Sequence, residues 1–255
     1  MSEHQSKRQI RQYLGFIEWI HQETPDVKTY VVSKDSNFTF EAGQYIMFGF
    51  ADKRRINKKI NIPLSIASSP DEKTLRVTIK KNGGYTTEIL EKLKIGDKVI
   101  ITGPLGKVFN FSRLPTKKLI VLTGGSGIVP FMSLMRFITN KGLKDYKFTV
   151  LNGNKNFENI IFREELDYLS SKENIFVMNF LEKYDENWKG EKGFINEKKI
   201  IKYVNLDEDN TFLICGPPIM QYCMEQILQR LKIPKSRILK ENWGFLKPDD
   251  RPKNC

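Results

Sequence analysis

Two glycine-rich turns carry the clearest chemical signal in this chain. The first is Thr123-Gly124-Gly125-Ser126-Gly127-Ile128-Val129-Pro130. It lies between an apolar stretch, Lys118–Thr123, and an apolar segment of helical period, Pro130–Thr139. Glycines let the backbone turn sharply and approach a ligand closely, and Pro130 suits a first helical turn. A helix N-terminus placed there presents unpaired N–H groups to a phosphate. The spacing is not G-x-G-x-x-G, so the dinucleotide fingerprint is not met literally, and a turn that only packs strand on helix is the competing reading. The second turn, Cys215-Gly216-Pro217-Pro218, again follows a short apolar strand and precedes a helix. Two such loops at strand C-terminal ends define one crevice on an α/β sheet, where ligands bind.

Two further segments belong with them. Pro63-Leu64-Ser65-Ile66-Ala67-Ser68-Ser69-Pro70 is a small-residue strand whose hydroxyls could meet a flat polar ring, or simply line a sheet edge. Asn82-Gly83-Gly84-Tyr85-Thr86-Thr87 is a third glycine turn opening a helix, a further candidate anion cradle. Cys215 has neither His4 nor His21 near it in sequence and reads as a small contact residue, not a nucleophile. Cys223 falls on a helix and reads as core.

The elements that must position these residues change character near residue 115. Before it, short β-branched and aromatic runs (Lys28–Ser33, Gln44–Phe50, Leu75–Ile79, Lys98–Thr102) alternate with turn residues, as in a sandwich or barrel. One helix, Thr86–Leu93, interrupts them, with Thr86 or Thr87 as its cap. After residue 115, strands at 118–123, 147–152, 175–180 and 211–215 alternate with helices at 130–139, 159–170 and 219–231. That alternation implies a doubly wound parallel α/β unit. The expected division is 1–114 for the barrel and 115–255 for the α/β unit, with Leu114-Pro115-Thr116 as linker.

Composition narrows the function. The chain has 255 residues, a net charge of +12, three Cys and two His. Three Cys without a C-x-x-C pair make no disulfide framework, zinc site or iron–sulfur cluster. No apolar run reaches the length of a membrane span, and the polar, basic Met1–Gln12 is not a secretory signal, so a cytoplasmic setting is expected. The charge is spread, +7 before residue 115 and +5 after it. Its densest run, Lys53-Arg54-Arg55 with Lys58 and Lys59, suits a phosphate, RNA, an acidic partner or a solvated loop.

In this order the segments resemble the ferredoxin–NADP reductase superfamily, from about Leu14 to Phe245. The resemblance includes Glu41-Ala42-Gly43-Gln44-Tyr45, Ser65-Ile66-Ala67-Ser68, Gly84 to Leu90, Ile95-Gly96-Asp97, Thr102-Gly103-Pro104-Leu105-Gly106, both glycine loops and Glu241. It implies an antiparallel flavin-binding β-barrel followed by a nicotinamide-binding α/β domain. It implies FAD, with FMN as the alternative, and NADH or NADPH. Ser65, Cys215 and Glu241 match positions at the reacting centre. Pro63, Leu64, Ile66 and Ala67 would flank the flavin; Gly83, Gly84, Tyr85, Thr86 and Thr87 would hold its pyrophosphate. Thr123, Gly124, Gly125, Gly127 and Pro130 would cradle the nicotinamide cofactor's pyrophosphate, with Gly216 and Pro217 beside its ring. Trp243 or Phe245 would cover the flavin face.

Two positions depart from the family. Its flavin motif R-x-Y-S reads Ile62-Pro63-Leu64-Ser65 here, so the phosphate-pairing arginine and the packing tyrosine are gone. A lost charged contact costs about 1.5–3 kcal/mol, roughly ten- to a hundredfold in affinity. Flavin is expected to be retained, with Arg54, Arg55, Lys58 or Lys59 as substitute charge. Where NADP-type members carry Ser-Arg, this chain has Glu182-Lys183: Glu182 would repel a 2′-phosphate and favours NADH, Lys183 argues the other way, and NADH is the expectation. Because no cluster or haem module is present, electrons are expected to pass to a separate acidic carrier of ferredoxin or flavodoxin type, steered by the basic surface. A subunit of a larger iron–sulfur oxidoreductase is the alternative. A flavin-less scaffold or basic RNA-binding protein is the non-enzyme reading, although no aromatic RNA-recognition motif accompanies the basic run and no nucleic acid is expected.

Overall fold

The computed structural model describes residues 10–50, 61–241, 244, 246–252 and 255. Arg54, Arg55, Lys58, Lys59, Trp243 and Phe245 lie outside the described residues.

The first half contains β1 (Arg11–Thr24), β2 (Val27–Ser33), β3 (Tyr45–Phe50), β4 (Asn61–Ser65), β5 (Thr74–Lys80), α1 (Gly84–Lys92) and β6 (Lys98–Leu105). The strands form one antiparallel sheet in the order β4-β3-β6-β1-β2-β5. A bridge between Ile66 and Val77 joins the two outer strands and closes the sheet into the expected barrel. In β5 the residues facing in, Leu75, Val77 and Ile79, are buried, which is the period-two pattern that a half-buried strand requires. Pro63 is tolerated because β4 pairs along one side with β3 only, so its missing N–H breaks no ladder on the other. β1 begins well before the first strand expected from sequence. Its exposed Leu14, Phe16 and Trp19 blur the apolar alternation that marks such strands.

The second half adds β7 (Lys118–Gly124), α2 (Val129–Asn140), β8 (Lys147–Asn154), α3 (Arg163–Ser170), β9 (Ile175–Leu181), β10 (Glu191–Lys192), α4 (Glu197–Tyr203), β11 (Asn210–Cys215), α5 (Pro218–Arg230) and β12 (Ile238–Lys240). The sheet is parallel throughout, in the order β10-β9-β8-β7-β11-β12. β7 and β11 are central and buried on both faces, as their unbroken apolar runs require. The helix expected at 159–170 starts only at Arg163, after a short 3-10 turn at Phe157–Asn159 and a left-handed Phe162. α4 and the short β10 and β12 were not expected from the sequence.

The two halves share one core. Val27, Ala42, Ala67 and Phe109 from the barrel side belong to the same buried cluster as Phe131, Met132, Leu134 and Met135 of α2. Phe109 meets Phe131 edge-on at 5.1 Å, and Phe111 meets Phe137 at 4.8 Å. Burying each such side chain stabilises by about 1.5–3 kcal/mol. Truncating the fully buried Leu134 to Ala is expected to cost about 2–5 kcal/mol and to loosen both halves together. The sequence reading of Cys223 as core is corrected: it is only partly buried and forms a disulfide with Cys255.

Candidate functional site

The cavity between the halves, about 510 Å³, draws on four of the segments singled out above: Pro63 to Ser65, Asn82 with Thr86, Gly124 to Gly127 with Val129, and Cys215 to Pro218. Gly83, Gly84, Thr87, Thr123, Pro130 and Glu241 are not among its lining residues. Its barrel wall is Ile62, Pro63, Leu64 and Ser65 from β4, joined by Thr78, Ile79 and Lys80 from the end of β5 and by Asn82 and Thr86. Its α/β wall is Gly124 to Gly127 and Cys215 to Pro218. β4 is held in register by β3, with Ser65 opposite Tyr45, and this sets Ser65 in the cavity wall.

The glycines are required sterically. A Cβ on Gly127 would stand 2.2 Å from the Cys215 carbonyl oxygen and 2.7 Å from the Gly216 Cα. A Cβ on Gly124 would meet the Met220 sulfur at 2.9 Å. Gly125 and Gly216 both have positive φ, 54° and 157°. The first loop therefore lies against the second, backbone on backbone, and leaves its N–H groups at the start of α2, where Pro130 occupies the first turn.

Polar atoms in these loops are left over by the protein itself. The hydroxyls of Thr87 and Thr123 are buried without a partner, as are side-chain oxygens of Asn152, Asn154 and Gln221. Buried polar groups normally find a bond; Thr87 at the head of α1 and Thr123 at the end of β7 line neither this cavity nor the one beyond it, so their hydroxyls lie behind the cavity wall. Thr86 does not cap α1 as the sequence suggested. The N-cap is Gly83, at φ 78°, and the Thr86 hydroxyl instead donates to the Gly83 carbonyl and accepts from the Asn82 N–H. This ties the glycine turn shut around its own backbone. Gly83 and Gly84 are exposed at that turn, and the backbone of Tyr85 follows them into the helix.

Cys215 sits at the seam as a neutral thiol. Burial, aided by the charge of Glu241, pushes it up to about 12, which favours the neutral thiol over the thiolate at neutral pH. Glu241 is buried, and its Oε1 lies 3.6 Å from where a Cβ on Gly106 would stand, which brings it back against the barrel rim beside Tyr45. Ser65, Cys215 and Glu241 thus come from a barrel strand, a central parallel strand and the segment after β12.

A second cavity of about 810 Å³ continues from Gly124 and Gly125 past Gly153, Asn154 and Lys155 to Glu182, Lys192 and Lys199, and includes Cys223 and Cys255. Glu182 lines it, but Lys183 does not; Lys183 faces a separate hollow with Tyr184 and Trp188. Both lie in the bend that follows β9, where their N–H groups donate to the carbonyls of Asn154 and Lys155, and they line different hollows.

Two expected contacts are corrected. Ile66 and Ala67 are fully buried and line neither cavity; their N–H groups donate to the carbonyls of Gln44 and Arg76, and they anchor the strand from beneath. Lys80 was missed, and Asn82 and Ser126 were given no task of their own within the turns that contain them. Lys80 is the informative omission: it lines both cavities, and its Nζ lies 3.8 Å from a Cβ position on Gly125. Its place at the strand end leading into the Gly83-Gly84 turn was the available signal. Among the described residues, no group of three His, Cys, Asp or Glu could hold a metal ion, and no helix is long and apolar enough to cross a membrane.

Two family models match the chain. Residues 16–110 match the oxidoreductase FAD-binding domain family, and residues 121–226 match the oxidoreductase NAD-binding domain family. The chain is 29% identical to the sulfhydrogenase 2 gamma subunit of Pyrococcus furiosus over 77% of this chain and 69% of that one. It is 30% identical to mouse NADH-cytochrome b5 reductase 2 over 61% of this chain, spanning 63% of the relative's length. In fold it is similar to a ferredoxin NADP+ reductase from Neisseria gonorrhoeae solved with FAD and NADP, at TM-score 0.75 and 22% identity, covering 92% of this chain and 99% of that one.

Proposed function

The chain belongs to the ferredoxin–NADP reductase superfamily of FAD- and NAD-binding oxidoreductases, and on that premise we propose that it moves electrons between a nicotinamide cofactor and a separate one-electron carrier of ferredoxin or flavodoxin type. The observation that carries this reading is the single cavity walled by Ser65 and its strand on one side and by both glycine loops on the other. A flavin bound there supplies the chemistry that links two-electron hydride transfer to one-electron steps.

The residues then have distinct tasks. We assign 1–114 to flavin binding and 115–255 to nicotinamide binding. The Ser65 hydroxyl is a hydrogen-bond partner at the reacting centre, where it can hold or pass a proton. The turn from Gly83 to Thr87 takes the flavin pyrophosphate, and Gly124, Gly125 and Gly127 take the nicotinamide pyrophosphate. Gly216 and Pro217 flank the nicotinamide ring, and the neutral Cys215 thiol fills the space beneath it without adding charge. Glu182, in the second cavity, accepts from the adenosine ribose and favours NADH. Tight positioning of two rings is the main task of such a protein.

A visible absorption spectrum is the test. Purified protein with added FAD should show a flavin band that bleaches on addition of NADH; protein that remains colourless with FAD and with FMN rules the reading out. Ser65→Ala should slow bleaching more than it weakens flavin binding, and the reverse result removes Ser65 from the reacting centre.

The likeness to a sulfhydrogenase subunit favours one second reading, a flavin- and nicotinamide-binding subunit of a larger iron–sulfur assembly. Affinity capture from native cells followed by iron analysis separates it from a reductase acting alone.

A further inference from the structure

One face of α2 reads the segment that follows Ser65. Ser133, Arg136 and Asn140, spaced three and four apart, line up on that face. Ser133 Oγ donates to the Ser68 carbonyl at 2.7 Å. Arg136 Nη1 donates to the Ala67 carbonyl at 2.5 Å. Asn140 Nδ2 donates to Asp71 Oδ2 at 3.2 Å. The guanidinium is itself gripped by Glu165 of α3, Nε to Oε1 at 2.6 Å and Nη2 to Oε2 at 2.5 Å, a two-pronged pair that fixes its plane. Arg136 is 5% exposed, and Ser133, Ala67 and Ser68 are wholly buried. The guanidinium carbon lies over the Phe162 ring, 5.2 Å from its centroid.

A buried charge is costly unless paired. A core helix has no need of an arginine at this position, since its neighbours Leu134 and Met135 are satisfied by apolar packing. The charge is spent instead on a backbone carbonyl of the other half of the molecule, two residues after Ser65. The same helix begins at the Gly124–Gly127 loop. Ser65 and the nicotinamide loops face each other across the seam, and α2 touches both.

We propose that Arg136, held by Glu165 and assisted by Ser133, is a positioning unit that sets the spacing between the Ser65 strand and the glycine loops, and so the alignment of the two rings. This rests on the flavin and nicotinamide reading above. None of the three lines either cavity, so the unit acts through the backbone of 66–69 and not by touching a cofactor.

The test uses Arg136→Met, Arg136→Lys and Ser133→Ala in the full chain. In flavin-free protein, Arg136→Met should speed amide hydrogen exchange at 66–69 by roughly tenfold or more, with β6 unchanged. In flavin-loaded protein, hydride transfer from NADH should slow roughly ten- to a hundredfold at unchanged flavin affinity, because small misplacements of reacting atoms are costly. The deuterium isotope effect on that step should rise, and Arg136→Lys should recover part of the rate. If Arg136→Met does not fold, Ser133→Ala decides, with the same effects in weaker form. Unaltered exchange at 66–69, or a rate loss explained wholly by flavin release, overturns the proposal. Wild-type protein that takes up no flavin would instead sink the function proposed above and leave the exchange result standing.

Discussion

Gly127 and the carbonyl of Cys215 are in such close approach that a methyl group on the glycine would stand 2.2 Å from the oxygen. The neighbouring obstacles, the Cys215 carbonyl carbon at 2.5 Å and the Gly216 Cα at 2.7 Å, are also backbone and cannot swing aside. Gly127→Ala should therefore push the two loops apart, destabilise the fold by about 1–3 kcal/mol and abolish measurable nicotinamide binding. Gly153→Ala, whose added carbon meets nothing nearer than 3.6 Å, is the control and should keep its melting temperature. Equal melting temperatures and nicotinamide affinities for both variants would refute the steric account.

Lys80 is the described cation best placed to take over from the arginine that Ile62 replaces. It lines both cavities beside Gly125, and Asp26 holds it at 3.6 Å. Lys80→Met should weaken dinucleotide binding by roughly tenfold or more and flatten its salt dependence, as loss of one charged phosphate contact implies. Titrations at two ionic strengths measure both. An unchanged affinity would return the task to other residues.

Glu182 reaches the second cavity while Lys183 turns away from it. Glu182→Gln removes a carboxylate that would repel a 2′-phosphate and leaves Lys155, Lys192 and Lys199 on the same wall. The ratio of NADPH to NADH reduction rates should rise. Lys183→Met should leave that ratio alone. A ratio that responds to Lys183 and ignores Glu182 contradicts the assignment.

Acid should act on the Arg136–Glu165 pair. Burial raises the Glu165 carboxyl, but hydrogen bonds and charge from Arg136, with a smaller contribution from Arg76, outweigh it and hold the group below the usual glutamate range. A depressed carboxylate stabilises the fold above its unfolded value, about 4.3, and this contribution fades as pH falls through the folded value. Glu165→Gln should therefore lower stability at neutral pH and flatten the decline below about pH 4.3. Denaturant midpoints measured from pH 7 downward check this; parallel curves for variant and wild type would show that the pair does not titrate with folding.

Much of the site was readable in order along the chain. Strand, glycine loop and helix recur at Thr123–Pro130 and Cys215–Pro218 because local geometry demands those residues there: no side chain fits at Gly127, and φ is positive at Gly125 and Gly216. The parallel arrangement was legible from the unbroken apolar runs of β7 and β11. The long first strand was not, because Leu14, Phe16 and Trp19 face solvent where alternation calls for polar residues. Thr86 looked like a cap and is used as a turn lock, since both competing bonds are open to a hydroxyl near a helix start.

What the residue order determined by itself was the kind of local piece each segment makes, since backbone freedom, side-chain period and chain reversal are properties of neighbours. Only the folded chain decided which pieces meet. Arg136 in an apolar helix carries no local mark of the contacts it makes, and neither the strand-end place of Lys80 nor the pairing of Glu182 with Lys183 shows which cavity each side chain lines. Their surroundings are set by residues dozens of positions away, Arg136 by Ala67 above all, and such contacts exist only once burial of the shared core has brought the two sheets together.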